Sequence, residues 1–178
     1  MTIKSEWVFK GLQVIAWIIF VALCIEAGAL LVNFVYSIFK PSIIGHLYQK
    51  LDLTGIYARS EWAFYSVYSL ILAIALLKAV LFYLVIVLTG KFNLEKPFSE
   101  VIAQQILRIS YFIFSIGLLS YIARETINGL VKRGWDMQSL DSFWNDSQAF
   151  MMMAAIVYII AHIFSKGVEL QTENDLTV

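Results

Sequence analysis

Four long apolar stretches, separated by polar segments, set the pattern of the chain. A transmembrane helix needs about 20 mostly apolar residues to cross a hydrocarbon core of about 30 Å, and each stretch meets that length. The pattern therefore predicts an all-α fold, an integral membrane four-helix bundle with short interfacial helices. The predicted spans cover residues 12–39, 63–88, 106–124 and 147–165, and a polar C-terminal tail is expected over 166–178.

Residues that start or stop helices stand at the predicted helix ends. Pro41 is expected to end the first helix, because proline disfavours the helical conformation in the residue before it. Ser99 is expected to cap the third helix by accepting a backbone hydrogen bond. The segment 42–61 is expected to hold a short turn of interfacial helix, and residues 101–109 an amphipathic entry into the third span.

The first apolar stretch has some features of a secretory signal peptide, because Lys4 and Lys10 precede it. The apolar core of such a peptide is only about 7–15 residues long. Here the apolar character continues to Phe39. We therefore expect this stretch to be retained as the first transmembrane helix.

The composition narrows the classes of function. The chain is 60% hydrophobic and 15% charged, whereas globular domains carry about 25% charged residues. Its 13 basic and 13 acidic side chains balance, so we expect no direct contact with nucleic acid. The single cysteine, Cys24, excludes an internal disulfide. No metal-ligand cluster, paired nucleophile and base, or phosphate loop is visible, so we expect no metal, cofactor or enzymatic activity.

Two charged residues stand alone near the middle of their predicted spans, Glu26 in the first and Lys78 in the second. Asn33 and Ser37 fall on the same helical face as Glu26. An ionisable residue inside a membrane is a candidate functional residue. Three interpretations stay open. The two residues form a buried ion pair or a neutral hydrogen-bonded pair that fixes how the helices pack, they form a proton, ion or polar-ligand site between the first two spans, or they make no contact.

Two short segments resemble the marked stretches of an uncharacterised bacterial integral-membrane family, domain of unknown function 2975. The first is Asn93-x-x-Lys96-Pro97-Phe98-Ser99, and the second comprises Ile163-Phe164, Gly167, Leu170 and residues 173–178. The resemblance implies four transmembrane helices and cytoplasmic termini. Family members are often encoded beside a small helix-turn-helix transcription regulator. The positive-inside rule assigns no orientation, because six Lys or Arg residues fall on each predicted side.

The function expected first is that of a non-enzymatic, multi-pass protein of the cell (cytoplasmic) membrane. It would serve as a sensor, regulatory or immunity-type partner of a cytoplasmic protein such as a small helix-turn-helix regulator. The alternative is a small transporter or an ion-conducting homo-oligomer that uses Glu26 and Lys78. The candidate partner contacts are Lys91, Asn93, Lys96, Pro97, Phe98, Leu176, Thr177 and Val178.

Overall fold

The computed structural model describes residues 3–47, 53–92, 98–135 and 146–176. Helices account for nearly all of these residues, and the described parts of the chain contain no strand. The four long helices are α1 (Ile3–Phe39), α3 (Glu61–Lys91), α4 (Glu100–Val131) and α5 (Ser147–Leu176), and the shorter elements are a 3-10 helix (Pro41–His46) and α2 (Thr54–Arg59). The four long helices are each long and apolar enough to cross a membrane. The predicted all-α fold class, with four helices able to span a membrane, is confirmed.

The helix ends follow the residues expected to set them. Helix α1 ends at Phe39, and Pro41 begins the 3-10 helix. The Ser99 hydroxyl caps α4 by accepting a hydrogen bond from the backbone nitrogen of Ile102 at 3.4 Å. These contacts satisfy backbone groups that the first turn of a helix leaves without an intrahelical partner.

The C-terminal segment differs from expectation. Helix α5 continues through Leu176, so the described part of the predicted polar tail belongs to this helix. Glu, Gln and Lys have good helix propensity, and extending an existing helix costs much less than starting a new one. Lys166 also pairs with Glu169 one turn later, and the Thr172 hydroxyl donates to the Val168 carbonyl at 2.9 Å.

The long helices pack in chain order, each against its neighbours along the chain, and the largest interface joins α4 to α5. The principal interfaces join α1 to α3, α3 to α4, and α4 to α5, whereas α1 and α5 share no comparable interface. Only 17% of the most apolar window is buried in α1 and in α5, against 39% in α3 and 44% in α4. The helices therefore form an open arc with α3 and α4 at its centre.

The α1–α3 interface follows a seven-residue repeat typical of antiparallel helix pairs. The Tyr68 hydroxyl donates to the Leu30 carbonyl at 3.0 Å, and the Phe34 and Tyr68 rings stack at 5.1 Å. The residues at the positions of this repeat, which we call the seam, are all buried or half-buried: Ala16, Phe20, Leu23, Ala27, Leu30, Phe34 and Ser37 on α1, and Tyr65, Tyr68, Leu72, Ala75, Ala79 and Ile86 on α3.

Candidate functional site

The two segments that carry the family resemblance meet at one end of the molecule. The Phe98 ring, just before α4, lies 5.3 Å from the Phe164 ring of α5. It also covers Gly167, where an added Cβ would lie 2.5 Å from Cδ1 of Phe98. Phe98 and one turn of α5 are thus in close contact, and a Cβ at position 167 would fit only if the Phe98 ring moved. We name Phe98, Phe164 and Gly167 the aromatic junction.

Three features position the aromatic junction. Ser99 caps α4 and so fixes the direction in which the chain enters this helix. Beneath the junction, Ile102 and Ile106 of α4 pack with Ala161 of α5 in a small buried cluster. The third feature is the small side chain of Ala161, which is buried in this cluster less than two turns of α5 before Gly167.

A groove beside the aromatic junction runs between the start of α4 and the last turns of α5. Its volume is about 560 Å³. Three carboxylates line it, from Glu100 on α4 and from Glu169 and Glu173 on α5. We name it the acidic groove. Its remaining lining residues are Ala103, Gln104, Ser165, Val168 and Thr172.

Local hydrogen bonds arrange the charges of the acidic groove. The Gln104 amide donates to Oε1 of Glu100 at 3.1 Å. Lys166 donates a hydrogen bond to the Glu169 carboxylate, so one of the three carboxylates is paired with a cation. The groove therefore offers a negatively charged surface that suits a cationic ligand or a basic protein segment.

The predicted contact residues are only partly covered by the structure. Asn93, Lys96, Pro97, Thr177 and Val178 lie outside the described residues. Lys91 is the exposed last residue of α3, and Leu176 is the last residue of α5. Phe98 is the predicted contact residue that the structure joins to the C-terminal segment, and it remains 40% exposed.

The structure does not bring Glu26 and Lys78 into contact. Both side chains are half-buried, and within the described parts of the chain neither makes an ion pair or a hydrogen bond. The Lys78 ammonium instead approaches α5, where its nitrogen lies 5.9 Å from the centre of the Phe150 ring. Asn33 is half-buried on α1, whereas Ser37 is fully buried and donates to the Phe34 carbonyl at 2.7 Å.

Two further contacts were not identified from the sequence. Gly117 lies against α5, where an added Cβ would be 3.1 Å from the backbone nitrogen of Met151. At the opposite end from the aromatic junction, Arg59 donates to the Gly134 carbonyl at 3.1 Å and lies over the Trp135 ring at 4.9 Å. The sequence did offer two signals for these contacts. Gly117 is a glycine within an apolar span. Gly134 is a glycine just after a helix, and its φ of 79° is the left-handed conformation that favours glycine there.

The comparisons with known proteins identify the family but give no characterised relative. Neither the curated proteins nor the solved structures include a significant match to this chain. Residues 47–178 match the family described as Protein of unknown function (DUF2975). The matched region contains the whole aromatic junction and the acidic groove. Because this match covers more than half of the chain, the protein belongs to the DUF2975 family.

Proposed function

We propose that the protein is a non-enzymatic membrane partner that binds a cytoplasmic regulatory protein at its aromatic junction and acidic groove. In this proposal the protein lies in the cell membrane, and both termini face the cytoplasm. The observation that carries the proposal is the packing of Phe98 on Gly167. It joins two segments far apart in sequence into one exposed surface beyond the apolar parts of α4 and α5.

The negative charge of the acidic groove favours a partner with a basic surface. Glu100, Glu169 and Glu173 line the acidic groove, and the only cation paired with them in the described chain is Lys166. Small helix-turn-helix regulators need basic surfaces to contact DNA phosphates. An acidic groove at the membrane complements such a surface, and occupying it would hold the regulator away from DNA.

Removing two groove carboxylates is expected to weaken this association. The variant Glu169→Gln with Glu173→Gln keeps the side-chain shapes but removes two charges that face the partner. We expect the dissociation constant for a co-expressed small helix-turn-helix regulator to rise at least tenfold and its salt dependence to fall, because both effects come from charge pairing. Binding is measured on the full-length protein in lipid nanodiscs.

The matched control for this experiment is Glu125→Gln, which changes an exposed carboxylate in the other half of α4. This variant is expected to bind the regulator as the parent protein does. Equal binding by the parent and the double variant would remove the acidic groove from the proposal.

A second candidate function is ion or proton conduction by an oligomer. It is favoured by the half-buried Glu26 and Lys78, which lack ionic partners among the described residues. We expect proton flux into proteoliposomes to fall at least tenfold in Glu26→Gln if this candidate holds. Flux equal to that of the parent protein, or no flux above that of empty liposomes, would eliminate it.

A further inference from the structure

Lys78 lies on the concave side of the arc that the four long helices form. Helices α3 and α5 are joined through α4 and share no large interface of their own. The Lys78 ammonium nevertheless lies 5.9 Å from the centre of the Phe150 ring on α5. The lysine side chain must therefore extend across the concave side of the arc, between α3 and α5.

Glu26 lies at nearly the same depth as Lys78. Phe34 faces Tyr68, and Phe20 faces Tyr83, with ring centres 5.1 Å and 6.0 Å apart. Continuing this antiparallel register places Glu26 two residues from the level of Lys78. At 1.5 Å per residue, the two Cα atoms differ in depth by about 3 Å.

Glu26 also lies on the same side of the α1–α3 pair as Lys78. It directly precedes the seam residue Ala27, and Lys78 directly precedes the seam residue Ala79. Each is therefore displaced from the α1–α3 contact line by roughly a quarter turn in the same helical sense. In antiparallel helices, equal displacements bring the two side chains to the same side of the pair.

The concave side thus presents a carboxylate and an ammonium at one depth, without ionic partners among the described residues. Lipid chains cannot solvate either charge, and an unsolvated charge inside a membrane is strongly unfavourable. Because α1 and α5 share no large interface, this side of the arc is not closed by packing between the two outer helices.

We propose that the concave side of the arc, between α1, α3 and α5, is a water-filled groove centred on Glu26 and Lys78. Its ligands are water and small hydrated ions. The proposal gives the conduction candidate a site, and it does not depend on the partner surface at the aromatic junction. Asn33, one heptad beyond Glu26, lies along the same wall of the groove.

The test uses the water-soluble thiol reagent sulfonatoethyl methanethiosulfonate on the full-length protein in lipid vesicles. Cys24, exposed on another side of α1, is first changed to alanine. Ala29→Cys and Asn33→Cys then report on the groove wall, and Leu31→Cys is the control. Leu31 lies between them in depth but about 200° around the helix from each, and it is 45% exposed.

We expect Ala29→Cys and Asn33→Cys to react at least tenfold faster than Leu31→Cys. Adding Glu26→Gln and Lys78→Met to the Ala29→Cys chain should slow its reaction about tenfold, because the groove then loses the charges that hold water. Equal rates at all three positions would overturn the water-filled groove. An unchanged rate after removal of both charges would overturn their role at its centre.

Discussion

Replacing Gly117 with leucine is expected to lower the free energy of unfolding by about 3 kcal/mol, near the upper end for overpacked sites. A Cβ on this residue would lie 3.0 Å from Cγ of Met151 and 3.1 Å from its backbone nitrogen. The methionine side chain can rotate away, but the backbone nitrogen moves only if α5 itself shifts. That shift would loosen the α4–α5 interface along its length.

The matched control for Gly117→Leu is Gly129→Leu in the same helix. Nothing lies within 4 Å of a Cβ added at Gly129. Glycine is about 1 kcal/mol less favourable than alanine inside a helix, so leucine at this exposed position should be neutral or stabilising. Both variants are compared by reversible unfolding in mixed micelles. Equal stability of the two variants would contradict the close α4–α5 contact.

Removing the Lys78 charge is expected to stabilise the protein by about 1–2 kcal/mol. A charge at the centre of a span costs about 2.5–3.5 kcal/mol on insertion scales, and water in the groove recovers part of that cost. In Lys78→Met the apolar side chain keeps the approach to the Phe150 ring on α5. Because no ion pair joins Lys78 to Glu26, the effect should not depend on the residue at position 26.

A double-mutant cycle measures this independence. Glu26→Gln, Lys78→Met and the double variant are expected to show a coupling energy below about 0.5 kcal/mol, the level found for independent sites. A buried ion pair between Glu26 and Lys78 would give the opposite pattern. Each single variant would then lose about 3–5 kcal/mol of unfolding free energy, and the double variant would recover much of it. That pattern would contradict the separation of the two charges seen in the structure.

The spans and their caps could be predicted because the signals are local. Pro41 stops α1 and Ser99 starts α4 through contacts within a few residues of each helix end. The length of an apolar stretch likewise sets a span without knowledge of its neighbours. The continuation of α5 to Leu176 was missed because its polar residues read as a solvated tail, although they also favour extension of a helix.

The positions of Glu26 and Lys78 were only half predictable. Their shared depth follows from two consecutive antiparallel spans. Whether the two side chains touch does not follow from the spans, because it depends on which residues of α3 face α1 and which face α4. In the structure the lysine reaches toward the Phe150 ring on α5 rather than toward α1.

The aromatic junction could not be predicted from the sequence, for a related reason. Phe98 and Gly167 were both noted in segments that resemble the family, but their contact depends on the α4–α5 register. That register is fixed by close approaches elsewhere, such as Gly117 against Met151. Sequence patterns predict the helices and their ends, whereas the aromatic junction arises from packing between helices.

We propose that Phe98, which lies just before α4, and the end of α5 form one partner-binding surface. The most direct test is the affinity of the full-length Gly167→Val variant for a small helix-turn-helix regulator. Valine would displace the Phe98 ring and leave every charged residue of the acidic groove in place. Gly129→Val serves as the control. At least tenfold weaker binding by a folded Gly167→Val protein is the result expected, and binding equal to that of the control would contradict the claim.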